Sequence, residues 1–295
     1  MEASAQAGNM QRHISLVGPQ GHDGVEEFWK ESLNQRWAQV HPAIQNLPVS
    51  EYKKMIPVWW HADGVEFYRN TEFFVWSWSS AVAEALNIWD QKFVHVVLPA
   101  LFVHLKHLFQ AMNEEITKLI GWDLRVCEEG VAATTGFYGE AFNLNCSRAR
   151  IAGKALAFKG CYAGFKSDGK ARRDVHGFVR HYSCTYSCEE CWATQPFKNA
   201  PPATNYKDFR SSALWRMTHI THEVYMGLPE QKSPWVLHVR GARLDTFYRD
   251  IMHVVYLGFA RDFLASVIVA EMQDQEFSNV IDVEEAPVDT RFPPQ

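Results

Sequence analysis

The sequence predicts an α/β fold in which three strands, a long helix and a further strand follow one another. Three observations carry this. Three short apolar runs rich in β-branched and aromatic residues, Ile56–Ala62, Phe73–Ser79 and Phe93–Leu98, are bounded by polar or turn residues. After Pro99, apolar residues recur at helical spacing through Leu101, Leu105, Leu108, Met112, Ile116 and Leu119. Another apolar run then ends at Lys166-Ser167-Asp168-Gly169.

Along the chain, residues 1–24 are small and polar and read as a disordered lead-in. Residues 25–180 form the expected core, opened by a helix over Gly24–Leu47 whose apolar positions are Val25, Phe28, Trp29, Leu33, Trp37 and Val40. Asp63-Gly64 terminates the first strand, with Val65–Tyr68 as its continuation beyond a bulge or turn. Val131–Gly139 and Ala149–Lys166 read as extended. Residues 181–210 hold a cysteine cluster and a Pro/Asn-rich loop. Helical patterns return over Ser212–Met226 and from Leu244 to about Met272, and residues 273–295 form an acidic, Pro-containing tail.

Composition bounds the partners. Of 295 residues, 47% are hydrophobic and 21% charged, which is ample for a core. The net charge of −5 argues against a surface that is basic throughout, so any nucleic-acid contact is local, at Lys166, Lys170, Arg172 and Arg173. No apolar run is long enough for a membrane helix: Phe93–Phe109 is interrupted by His95, Pro99, His104, Lys106 and His107. The N-terminus carries no secretory leader pattern, so a nuclear or cytoplasmic protein is expected. Six cysteines are too few for a disulfide scaffold in a chain this long.

Two aspartates stand at strand ends, Asp63 and Asp168. If their strands are neighbours, the carboxylates can share Mg²⁺, which favours a few carboxylates together with water and phosphate oxygens. Two such ions suit in-line phosphoryl transfer. Ordinary Asp-Gly turn chemistry explains each residue singly. A third acid, Asp250, lies three residues before His253, on one helical face. Asp245 competes for that role, and a salt-bridged helical Asp is the plain alternative. His95, His104 and His107 read as structural, and Glu114 and Glu115 as a solvated helix face.

The cysteine cluster is the most specific local signal. Cys188-x-x-Cys191 is knuckle spacing, letting two thiolates hold one zinc. Cys184 adds a third donor and His181 a fourth, with His176 and Cys161 as alternatives for that place. A redox pair or buried free thiols are the competing explanations.

Ile56–Ser80, residues 165–193 and the Asp250-Ile251-Met252-His253 motif followed by Leu257-Gly258, in this order, resemble DDE/DDD-type DNA transposases of the CACTA and Kyakuja–Dileera–Zisupton kinds found as protist transposon reading frames. The likeness spans roughly residues 25–272. It implies a ribonuclease-H-like mixed sheet flanked by helices, with a small Cys-rich zinc-binding insertion between the second and third acids. It implies an acidic triad, Asp63, Asp168 and Asp250, with Glu271 as a later alternative for the third, working with Mg²⁺ or Mn²⁺ to cleave and transfer DNA strands. The implied partners are transposon ends and a second copy of the chain. The insecure third acid and the lack of an evident N-terminal DNA-binding domain imply a truncated or inactive copy, or a transposase-derived protein that binds nucleic acid or protein without catalysis.

Overall fold

A computed structural model describes residues 16–68, 71–84, 91–99, 105–181, 184–195, 204–208, 210–228, 234–249 and 261–274. The chain divides into two compact units, residues 1–249 and 250–295.

The first unit is α/β. Its centre is a five-stranded mixed sheet of order β3-β2-β1-β4-β5, with β1 Met55–Tyr68, β2 Thr71–Ser80, β3 Phe93–Leu98, β4 Lys159–Ser167 and β5 Phe247–Arg249. β1, β2 and β3 form an antiparallel meander, while β4 runs parallel to β1 and β5 parallel to β4. The expected order of three strands, helix and strand is therefore the observed one. β1 is longer than predicted: Asp63-Gly64 does not stop it, because both residues stay paired with Val75 and Phe74 of β2. The ladder satisfies the backbone groups that an isolated turn would leave open.

The helix α3, Lys106–Glu129, covers one face of the sheet. Phe109, Ile116, Ile120 and Leu124 make its buried stripe, against Val58, Trp60, Ala62, Phe74, Trp76, Tyr162 and Phe165. The stripe also contains two polar residues: the Trp76 indole N–H donates to Asn113 Oδ1 at 3.2 Å, and the Thr117 hydroxyl donates to the Asn113 carbonyl at 2.7 Å, while Asn113 Nδ2 has no hydrogen-bond partner among the described residues. The helix runs beyond its predicted end and stops at Gly130, whose φ of 70° gives the left-handed cap that glycine adopts without strain.

The other face is covered at the start of β1 and β4. There α1, Gly21–Ser32, and the one-turn α2, Arg36–Gln39, pack Val25, Trp29 and Trp37 on Met55, Ile56, Cys161 and Ala163. The predicted helix over Gly24–Leu47 is thus two helices, broken between Ser32 and Arg36. The Trp29 indole N–H donates to the Met55 carbonyl at 2.6 Å, tying α1 to the first residue of β1.

Other expectations are corrected. Within Val131–Gly139 and Ala149–Lys166 only isolated bridges (Val131 with Ala155, Thr135 with Ala141), a short helix α4, Ser147–Ile151, and finally β4 appear. Ser212–Met226 holds two short helices, α6 Leu214–Met217 and α7 His222–Met226, instead of one. Leu244–Arg249 is a 3-10 turn followed by β5, where a helix was expected. The second unit contributes one described helix, α8, Arg261–Asp274. Among the described residues no helix is long and apolar enough to cross a membrane.

Candidate functional site

The strands that carry or precede the two aspartates, β1 and β4, are parallel neighbours in the sheet. From Met55 to Val58, β1 pairs with Lys159 to Tyr162; the register then shifts, so that Trp59, Trp60 and His61 pair with Gly164, Phe165 and Lys166. The extra residue on β4 is Ala163. Such a bulge changes which residues stand level. Asp63 and Asp168 each come two residues after the His61–Lys166 pair, the last of the β1–β4 ladder, Asp63 still within β1 and Asp168 one residue past β4. Without it, Ser167 would stand opposite Asp63.

Face assignment agrees. Val58, Trp60 and Ala62 are buried on the α3 side, so alternation puts Trp59, His61 and Asp63 on the other face. Lys166 lies on that face too, its ammonium 3.7 Å from the centre of the Trp59 ring. Tyr248 of β5 meets the same ring at 5.6 Å. This arrangement is why residue 164 is glycine: a Cβ there would stand 2.3 Å from the Tyr248 ring. Asp63 and Asp168 are both partly exposed.

Asp168 has a structural task as well. It is the N-cap of α5, Gly169–Asp174, and its Oδ1 accepts the Ala171 amide at 2.6 Å. The turn chemistry expected of Asp-Gly is therefore present at Asp168, in the form of a helix cap. Asp63 lies within a continuous strand, so a turn does not explain it. Asp250 and His253 lie outside the described residues. Asp245 sits in the 3-10 turn Leu244–Thr246, not in an α-helix, with its Oδ1 3.2 Å from Arg243 Nε. Glu271 lies on α8 of the second unit.

The basic set is smaller than expected. Arg172 is 4% exposed; its guanidinium donates to the Phe247 carbonyl at 2.6 Å and lies 3.6 Å from Glu189. It fastens α5 to β5 and to the cysteine loop, and this corrects its assignment as a DNA contact. Arg173 is half-buried and bidentate to Asp174 at 2.7 and 2.9 Å. Lys170 is exposed on α5.

The cysteine loop contains two donor pairs. Cys184 Sγ lies 3.0 Å from His181 Nε2. The Cys188 thiol is hydrogen-bonded with that of Cys191, and its sulfur also accepts the Glu190 amide at 3.4 Å. The Cys191 thiol and the Glu190 amide pull Cys188 down to about 6, with Arg249 adding to the effect. Backbone N–H donation to sulfur favours a thiolate. Among the described residues, no three His, Cys, Asp or Glu side chains are gathered closely enough to hold one ion, so the two pairs do not form the expected four-ligand set. The alternative fourth ligands are excluded by burial. His176 is packed among Trp76, Phe165 and Phe247, and Cys161 is fully buried in the second core cluster.

Two residues that sequence reasoning passed over anchor this loop. Arg180, 2% exposed, reaches the carbonyls of Cys188 and Cys191 at 3.5 and 3.4 Å and lies over Tyr186 and Trp192. Glu189 lies 3.6 Å from Arg172 and 3.9 Å from Arg249. Burial pushes its carboxyl up, and Arg172 opposes that. Their sequence signal is faint, since a lone Arg or Glu beside cysteines looks like any surface charge.

No family model matches the chain, and neither a curated protein nor a solved structure resembles it.

Proposed function

We propose that this chain is a transposase-like protein with a ribonuclease-H-like core, in which Asp63 and Asp168 serve metal-dependent cleavage and transfer of DNA strands. The observation that carries the reading is the register: after the bulge in β4, Asp63 within β1 and Asp168 just past the end of β4 are each two residues beyond the last β1–β4 pair, His61–Lys166. The sheet order β3-β2-β1-β4-β5 is compatible with a ribonuclease-H-like arrangement. Asp250 is the proposed third acid on its covalent position alone, as the residue bonded to Arg249, which ends the strand beside β4.

The donor set fits Mg²⁺ or Mn²⁺, which prefer carboxylate oxygens on rigid supports. Such ions, when bound, polarise a phosphate and make water or a 3′-hydroxyl nucleophilic near neutral pH. The chain's own residues do the rest. The β1–β4 ladder fixes the backbone that leads to both carboxylates, and the cap to Ala171 limits rotation of Asp168. Lys166, held over Trp59, stands on the same face to meet a backbone phosphate, and Lys170 and Arg173 extend that contact. The proposed partner is DNA at transposon ends.

A structural zinc is proposed as the ion that would draw the two separate pairs, His181–Cys184 and Cys188–Cys191, into one set, on the chemistry of the four donors and the amide-to-sulfur bond at Cys188. Elemental analysis of protein purified without chelator checks it. One zinc per chain is expected, lost in Cys188→Ser.

Plasmid nicking tests the central reading. Wild-type protein nicks supercoiled DNA with Mg²⁺ or Mn²⁺, whereas Asp63→Asn and Asp168→Asn fold normally and do not. Undiminished nicking by either variant sinks the assignment. A second reading, a transposase-derived binding protein without catalysis, is favoured by the structural task of Asp168 and by the burial of Arg172. It expects zinc and no nicking with either metal.

A further inference from the structure

On the α3 side of the sheet, the side opposite Asp63, lies a cavity of about 250 Å³ between α3, β1 and the segment that carries α4. Its walls include the rings of Trp60, Trp78, Trp122 and Phe142. Asp123, the one carboxylate among its lining residues, faces a histidine and an arginine: Oδ2 lies 4.0 Å from His95 Nε2, and Oδ1 lies 3.9 Å from Arg148 Nη2. Both separations exceed hydrogen-bond length, so Arg148 balances the carboxylate's charge and neither contact occupies its acceptor positions. Arg148 is 56% exposed and marks the mouth, and its guanidinium lies 5.6 Å from the centre of the Trp122 ring. The buried indole N–H of Trp60 has no hydrogen-bond partner among the described residues, and neither has His95 Nε2.

These features restrict the ligand. Arg148 opposes a cation, and Asp123 opposes an anion, so a neutral molecule fits best. Aromatic walls favour a flat ring, on which stacking acts whatever its substituents. The volume suits one ring system and not a whole nucleotide. The polar groups ask for hydrogen-bond donors toward Asp123 and acceptors toward Arg148. A carboxylate presents two acceptor oxygens side by side and is matched by two adjacent N–H donors. Among the common bases only guanine has them, at N1 and the 2-amino group, while its O6 and N7 are the acceptors that arginine reads. Adenine and cytosine place a lone pair beside their amino group, against the carboxylate. Uracil and thymine flank a single N–H with carbonyls.

We propose that this cavity binds a guanine base, with Asp123 reading its Watson–Crick edge and Arg148 its carbonyl side, separately from the Asp63–Asp168 site. The base is supplied either by a free nucleotide or by an unpaired position in a nucleic-acid strand. Calorimetric titration of the full-length protein tests this with GMP, IMP, AMP, CMP and UMP, and with single-stranded trinucleotides that do or do not contain a central guanine.

GMP is expected to bind at least tenfold more tightly than AMP, CMP or UMP, with IMP, which lacks the 2-amino group, in between. Asp123→Asn removes the preference, with near-ultraviolet circular dichroism reporting its fold. Arg148→Gln, at a half-exposed position, weakens GMP binding without disturbing the core. Equal binding by GMP and the guanine trinucleotide makes the base itself the ligand. Binding by the trinucleotide alone, still dependent on Asp123, assigns the site to a strand. Equal affinity for all four nucleotides, no binding in either arm, or binding unaffected by Asp123→Asn overturns the proposal. Asp63→Asn is expected to bind GMP normally, so this result is separate from the outcome of the nicking assay.

Discussion

Three buried ionisable side chains set the acid–base behaviour of this protein. His176 is drawn down to about 3 by burial among aromatic rings, with the Arg172 charge adding to it; His41 is drawn down to about 4 by burial, then by Arg240. Both fall below the 6.5 of an unfolded histidine, so protons bind the unfolded chain preferentially, and stability present above pH 6.5 is lost as pH falls toward 3–4. Glu128 is the opposite case. Burial raises its carboxyl to about 7, although Arg240 Nη1 lies 3.2 Å away. The contact is close, but its angles make no hydrogen bond to either carboxylate oxygen, so desolvation wins. Its contribution is present below pH 4.5 and lost as pH rises through 7. Glu128→Gln should therefore match the parent near pH 4 and exceed it at pH 8 by up to about 3 kcal/mol. Urea unfolding at the two pH values checks this. A variant less stable than the parent at pH 8 would show that the Arg240 pairing outweighs burial.

At the scale of elements, the cap and the bulge can be separated from the chemistry proposed for the same residues. Asp168→Asn keeps an oxygen for the Ala171 amide and should change stability by a few tenths of a kcal/mol, whereas Asp168→Ala should cost about 1 kcal/mol. If Asn and Ala destabilise equally, the cap is not what residue 168 contributes. The close packing of Gly164 on Tyr248 makes a second prediction. Gly164→Ala should cost about 1–3 kcal/mol, and much of that should return in the double variant with Tyr248→Ala. A thermal double-mutant cycle measures the coupling, and additive losses would disprove the contact. Gly164 lies on β4, next to the bulge at Ala163. Nicking by Gly164→Ala then reports whether that register matters.

For the whole molecule, the charge distribution governs any contact with DNA. The net charge is −5, and with Arg172 buried the basic residues proposed for phosphate contact are Lys166, Lys170 and Arg173. Each neutralised phosphate on duplex DNA contributes about −0.9 to the slope of log K against log salt, so about −3 is expected, shallower by about 1 in Lys170→Ala. Anisotropy titrations across a salt series measure it. A slope near −8 would mean that other basic residues do the binding.

Much of the fold was legible because period and punctuation are local. The β-rich runs at Ile56, Phe73 and Phe93, the helical spacing before Leu119 and the strand ending at Asp168 all reflect how neighbouring side chains share a face, and the three-strand, helix, strand order follows from them. Within the candidate site, the sequence by itself marked Asp63, Asp168 and the cysteine spacing, since those signals are residue types at short separations. Tertiary structure decided the rest. β5 is too short to show a period and exists through pairing with β4; Arg172 and His176 look like surface residues until the sheet buries them. The register of Asp63 against Asp168 depends on one inserted residue at Ala163, and the meeting of Asp123, His95 and Arg148 on three separate elements. Neither leaves a mark in local pattern, because contacts between residues far apart in the chain are set only when packing brings their elements together.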